Sequence, residues 1–374
     1  MGVPKASAET STSAHTITVQ MYGVTLRVCC DHPELAGYVA CVLPALCRSD
    51  CARADLEVTA RWITDDLPRD TRLFSDRQRL DGFGKRMQIS EDELVWFKTS
   101  RDPDLQLRFR RGAGGPAFDV AYSYRPSQKK LARHPNLKYR KFFDLLRYLV
   151  FFPLAWHLER TRGWSLIHAA AVAADGRAIL VGGPGGSGKT TTSVALMARA
   201  GMDLLAENLV FCDGSSIFPV PEPLRLSDEA VALLGEAAKE LEPLEVPGSS
   251  SKSMFRLRGR VDLKGTPAAL FFVPQFSASG FVRRLAPEIA CERIAAINRL
   301  TLEVNDYYWY SAALDLLWPK PGNAERQLSV LKRLAAATPC YTLGIDRTRG
   351  VAPVVDRILE CFTDLQTVSK GAVP

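Results

Sequence analysis

The sequence predicts an α/β chain in two parts: a phosphate-loop domain over residues 161–374 and a smaller α+β domain before it, over 17–160. Three observations carry that expectation. Short apolar runs separated by turn residues fill the first part, as in a strand-rich domain. A glycine-rich loop stands between an apolar strand and a helix in the second part. Beyond that loop, long helical stretches alternate with short apolar ones. With 374 residues, of which 47% are hydrophobic and 24% charged, the chain has ample apolar material for a large core.

Residues 1–16 are small and polar, with no apolar segment of the kind a targeting signal needs, and read as a disordered tail. The stretch from His15 to Cys29 alternates apolar and polar residues on either side of Tyr22-Gly23, which predicts a hairpin. A helical run from Glu34 to Arg48 follows. Apolar runs at Leu56–Val58, Met87–Ile89, Leu94–Phe97, Leu105–Phe109 and Phe118–Ala121 then predict an antiparallel sheet. One helix from Tyr139 to Arg160 leads into the second part. Its apolar stretch Phe142–Trp156 contains Asp144, Arg147 and Pro153, so it is too short and too charged to cross a bilayer, and no membrane partner is expected.

In the second part, strands are expected at Ser165–Val172, Ala178–Val181 and Leu204–Phe211, with a helix at Lys189–Ala200 between the last two. Strand, loop, helix, strand is the order of a βαβ unit. Further strands are expected at Ala268–Val273 and Tyr341–Leu343, and helices at 227–240, 287–300, 323–337 and 353–365.

Composition excludes several functions. A net charge of +7 is mild for this length, and no zinc finger, helix-turn-helix or aromatic RNA-binding motif is present, so no nucleic-acid partner is expected. Five of the nine cysteines fall between Cys29 and Cys51, near His32, but without paired knuckle spacing. They read as free thiols, and the cytoplasm as the expected compartment. Basic residues gather from Arg125 through Lys129, Lys130, Arg133, Lys138, Arg140 and Lys141. They suit a solvated loop and helix start, or a docking surface for an acidic peptide or protein.

The most specific signal is Gly183-Pro184-Gly185-Gly186-Ser187-Gly188-Lys189-Thr190, which matches G-x-x-x-x-G-K-[ST] without a mismatch and continues into Thr191. Glycines let the backbone approach an anion closely. Loop amides and the helix start face a β-phosphate, Lys189 meets the β/γ oxygens, and the Thr190 hydroxyl suits Mg²⁺. ATP with Mg²⁺ is the expected ligand.

The flanks of this loop resemble the HPr kinase family, in the style of the kinases found with ribosomal-peptide and lasso-peptide biosynthesis. The resemblance covers residues 165 to 230 and rests on His168-Ala169-Ala170, the loop itself, Glu207-Asn208 after Gly201, and Pro221-Glu222-Pro223-Leu224-Arg225-Leu226. It implies an HPr kinase/PEP-carboxykinase-like fold and transfer of the γ-phosphoryl group to a Ser or Thr hydroxyl of a peptide or small protein. It also implies that His168 stands near the γ-phosphate, that Glu207 acts at the substrate hydroxyl, and that Glu207 and Asn208 join Thr190 at Mg²⁺. The family has two aspartates where this chain has Glu207-Asn208.

That departure keeps two other readings open: ATP-driven peptide modification through carboxylate activation, and a nucleotide-gated binding module with degenerate catalysis. Lys252, Arg256, Arg258, Arg260 and Lys264 are the local supply of cations for a developing phosphate charge, on a segment (245–264) expected to close over substrate. The aromatic run Tyr307-Tyr308-Trp309-Tyr310 suits packing between helices, or the grip of a peptide or base. Whether the chain forms a homo-oligomer is left open by its sequence.

Overall fold

Alternation of buried and exposed residues builds the first sheet. In Leu56–Ile63 the side chains of Leu56, Val58, Ala60 and Trp62 turn inward while Glu57, Thr59 and Arg61 face water. The computed structural model describes residues 14–48, 53–64, 68, 71–74, 81–83, 86–97, 99, 102–112, 115–246, 252–257 and 263–371. Most of the tail read as disordered (1–13), together with Cys51, Gly248 to Ser251, Arg258 and Arg260, therefore lies outside the described residues.

Among the described residues nine strands form this sheet, in the order Cys47–Arg48, His15–Met21, Val24–Cys30, Leu56–Ile63, Gly115–Ser123, Leu105–Gly112, Glu93–Trp96, Met87–Ile89 and Asp81–Phe83. The expected hairpin is present, with Tyr22 and Gly23 both at positive φ. The sheet is not antiparallel throughout: Leu56–Ile63 runs parallel to both Val24–Cys30 and Gly115–Ser123. The first parallel pair is joined through helix Pro33–Val42, since parallel neighbours need a crossover that a tight turn cannot supply.

The long helix expected from Tyr139 to Arg160 is divided into Leu137–Leu146, a π-helical turn Arg147–Phe151, and Phe152–Arg162. Pro153 explains the division. It has no N–H to donate, and its ring crowds the carbonyl one turn back, so the turn before it widens and the Phe152 N–H reaches the Arg147 carbonyl.

In the second sheet Ser165–Ala174 pairs antiparallel with Arg177–Gly182, which lies parallel to Thr266–Phe276, itself parallel to Cys340–Ile345. Leu209–Cys212 and Ser216–Pro219 continue the sheet from the other edge of Ser165–Ala174 back to Thr266–Phe276, so these strands form a ring. Helices Lys189–Ala200 and Ala352–Gly371 contribute to the core on one face. Pro287–Leu300 and Asn323–Ala337 contribute to a separate core on the other. A small sheet of Leu224–Leu226, Ser253–Leu257 and Leu241–Pro243 stands beside it. The whole is a mixed α/β architecture.

The core of the first sheet does not stop at residue 160. It takes in Leu209, Phe211 and Val220, together with one face of helix Leu302–Leu317, an element not foreseen from the sequence. That helix carries the aromatic run, and packing decides it. Tyr307 and Tyr310 are fully buried against Phe152, and Tyr310 also meets Phe109 and Phe118, while Trp309 faces out.

Candidate functional site

The phosphate loop follows strand Arg177–Gly182 and ends at Gly188, the N-cap of helix Lys189–Ala200, with φ +94°. That backbone conformation favours glycine. No side chain caps this helix, so its first-turn amides have no side-chain acceptor. At Gly183 (φ +146°) a Cβ would stand 2.4 Å from Ser187 Oγ, so only glycine fits. The Ser187 hydroxyl is buried without a hydrogen-bond partner in the chain.

Lys189 is buried and spans the loop from inside, donating from Nζ to the carbonyls of Gly183 at 2.7 Å and Pro184 at 3.2 Å. Burial lowers its pKa to about 8, Glu207 and Glu303 pull it upward, and Lys252 lowers it further. Of the cations expected to assist, Lys252 is therefore close enough to act on the loop. Arg256 instead makes a two-pronged pair with Glu242, at 2.9 and 2.6 Å.

The strand expected over Leu204–Phe211 is broken into Asp203–Ala206 and Leu209–Cys212, and the break is Glu207-Asn208. It turns the two side chains to different neighbours. Glu207 accepts a hydrogen bond from the Thr190 hydroxyl at 2.5 Å. Asn208 is buried and donates to Glu222 at 3.1 Å. Its amide is thus engaged away from Thr190, its expected companion at the metal.

His168 lies on strand Ser165–Ala174, 3% exposed, with its backbone N–H on Asn298 Oδ1 at 3.0 Å and its Nδ1 without a partner. Burial and the neighbouring Lys189 push its pKa down to about 4, against the opposing pull of Glu303, the Gly183 backbone and Asn208. It is a neutral imidazole at pH 7. The structure therefore brings His168, Lys189, Thr190, Glu207 and Asn208 into one site.

Three further residues belong to this constellation. Glu303 is bonded to Arg147 Nη2 at 2.9 Å, with both side chains largely buried. Burial works to raise the Glu303 carboxyl, but Arg147, its own backbone N–H, His168 and Arg225 outweigh it and hold the pKa below the ordinary value. Glu222 is the opposite case: burial raises its pKa despite Arg147 and Asn208. Arg147 could be found in the sequence as a charge inside an apolar helical run. Glu303 has no such signal, because its role depends on a helix that packs far along the chain.

Two openings reach the constellation. One is a cavity of about 550 Å³ between helix Leu137–Leu146 and the start of helix Leu302–Leu317, with Arg147, Arg225 and Glu303 in its wall. The other is a groove of about 880 Å³ between the segment Val42–Arg48 and the broken strand, with Glu207 and Glu222 in its wall. Among the described residues, no group of three or more His, Cys, Asp or Glu side chains is placed to hold a metal ion by itself. Cys30, Cys212, Cys291 and Cys340 are buried free thiols. In the basic stretch, Lys138 pairs with Glu34 and Lys141 with Asp102. No helix among the described residues is long and apolar enough to cross a membrane.

No protein-family model matches the chain, and no curated protein matches it.

Proposed function

We propose that the protein is an ATP-dependent phosphotransferase that moves the γ-phosphoryl group of ATP to a Ser or Thr hydroxyl of a peptide or small protein. The observation that carries this reading is the Thr190–Glu207 pair: a hydroxyl and a carboxylate in contact at the start of a helix whose amides lack a side-chain cap. Oxygen donors of this kind suit Mg²⁺, which keeps most of its shell as water and phosphate oxygen and so needs few protein ligands. When bound, Mg²⁺ neutralises charge on the phosphates.

The chain's own residues divide the remaining work. Loop amides and Lys189 hold the phosphates, and the unpartnered Ser187 hydroxyl is a further donor there. Neutral His168, buried beside the loop, adds no second charge beside Lys189. In the transfer, the acceptor oxygen bonds to the γ-phosphorus while the bond to the bridging oxygen of the leaving ADP breaks. The hydroxyl proton passes to the Glu207 carboxylate. For the base, the chain offers an exposed aromatic at the C-terminal end of the strand parallel to the one before the loop: Phe276, 51% exposed, with Arg347 over its ring at 5.1 Å.

The test is incubation with γ-labelled ATP and Mg²⁺ in host extract, beside Lys189→Ala and Glu207→Gln. Label on a peptide or protein, lost in Lys189→Ala and strongly reduced in Glu207→Gln, is expected. Label retained in full by both variants overturns the reading. ADP or AMP release without a labelled acceptor transfers the assignment to carboxylate activation. Tight Mg·ATP binding without turnover transfers it to a nucleotide-gated binding module.

A further inference from the structure

We infer that the acceptor docks as an extended peptide strand on the open edge of Asp203–Ala206, in the groove that ends at Glu207. The fate of its hydroxyl rests on the phosphotransferase reading above. The docking rests on sheet topology alone.

One edge of the long strand Ser165–Ala174 is shared by the two halves of the broken strand. Leu209–Cys212 pairs with Ser165–His168, and Asp203–Ala206 with Ala171–Ala173. The far edge of Leu209–Cys212 is covered by Ser216–Pro219. That cover ends where the Val220 N–H meets the Leu209 carbonyl at 3.2 Å, and Pro221 and Pro223, which have no N–H, carry the chain away. Among the described residues, Asp203–Ala206 therefore pairs with no strand on its far side. An unfilled strand edge is a template for another backbone.

The opposite wall of the groove is the segment Val42–Arg48, whose strand backbone is already engaged: the Cys47 N–H bonds the Pro44 carbonyl at 3.3 Å, and the Cys47 carbonyl accepts from Arg48 at 2.8 Å. One open edge thus borders a groove of about 880 Å³ whose apolar lining includes Leu43, Leu204 and Leu224. A polypeptide in extended form is the ligand class that offers donors and acceptors at strand spacing, with alternate side chains for such a lining. A strand continuing the line of Ser216–Pro219 along Asp203–Ala206 passes Glu207, the residue directly after that edge. Its serine or threonine then reaches the carboxylate that takes the proton. Arg48, whose guanidinium bonds only to the carbonyls of Ala45 and Cys47 among the described residues, favours an acidic side chain in the same peptide.

An array of nine-residue serine-centred peptides, read both for bound full-length protein and for label from γ-labelled ATP, tests this. Bound peptides are expected to alternate apolar residues and to contain no proline beside the serine. Single backbone N-methylations along a bound peptide should weaken capture at least tenfold at every second residue and little between. Ala45→Trp fills the groove from an exposed position and should abolish capture while leaving the Mg·ATP affinity and the melting temperature unchanged. Capture with this pattern but no label sinks the phosphotransferase reading and keeps the groove. Labelling that ignores both the N-methyl scan and Ala45→Trp keeps the phosphotransferase and sinks the groove. Absence of any capture overturns the inference, as does capture by proline-rich or patternless peptides.

Discussion

Glu207 and Glu303 carry the same charge and both act on Lys189, yet the structure gives them different partners. Glu207 faces a neutral hydroxyl, Thr190 Oγ1, across a break between two short strands. Glu303 faces a permanent cation, Arg147, in a largely buried ion pair. A carboxylate held by a hydroxyl keeps lone pairs for a proton or a metal-bound water, and can exchange its partner cheaply. One held by a buried guanidinium cannot leave without stranding that charge. Of the two, Glu207 is suited to take part in the reaction and Glu303 to set the field around it.

The largest expected effect separates these roles. Glu207→Gln should lower the phosphotransfer rate by about 10²–10⁴-fold, the range for losing a general base, with the melting temperature almost unchanged. Glu303→Gln should lower the rate only about tenfold but destabilise the fold by about 2 kcal/mol, because Arg147 then keeps only the more distant carboxylates. Kinetics and thermal unfolding of the two variants check this. Adding Arg147→Met to Glu303→Gln should restore most of the lost stability and none of the lost rate. Equal losses of rate with no change in stability would erase the distinction.

The unequal legibility of the two carboxylates has a physical cause. The phosphate loop is local: its glycines, lysine and threonine are consecutive, and their chemistry depends on a loop and one helix turn. Glu207 could be read because it follows that helix on the next strand. The strand break around it could not, since Leu204–Phe211 is uniformly apolar apart from Glu207-Asn208, and only the partners Thr190 and Glu222 show why the chain turns there. Glu303 and Arg147 meet through the packing of two helices, which no local pattern records. Strand direction in the first sheet was hidden similarly, although helix Pro33–Val42 between two strands was a legible sign of a parallel pair.

A middle-sized effect concerns the lysine both carboxylates share. With a pKa of about 8, Lys189 is protonated at pH 7 and loses its proton as pH rises through that value. Bound phosphates favour the protonated form, so Mg·ATP affinity should fall above pH 8, approaching tenfold per pH unit. Both carboxylates raise this pKa, Glu207 more than Glu303. The fall should therefore begin at lower pH in both glutamine variants, and lowest in Glu207→Gln. Titration calorimetry across pH 7 to 10 measures the order. A larger displacement in Glu303→Gln would assign the closer electrostatic role to Glu303.

The smallest effect tests the buried side alone. His168 has a folded pKa of about 4, below its value of 6.5 when unfolded, because burial and Lys189 penalise the imidazolium. Between those two values the unfolded chain binds a proton that the folded chain does not. Stability present above about pH 6.5 is therefore lost progressively as pH falls toward 4, by roughly 3 kcal/mol. In His168→Gln, which does not titrate, the slope of stability against pH should flatten over that window, whatever the substitution costs at pH 7. Glu303 opposes the shift on His168, so removing its charge should lower the histidine further and steepen the acid loss. Glu303 is the carboxylate that acts most on His168, so Glu207→Gln should move that slope less than Glu303→Gln does. Denaturant unfolding of the three variants between pH 4 and 7 therefore tells which carboxylate the histidine senses.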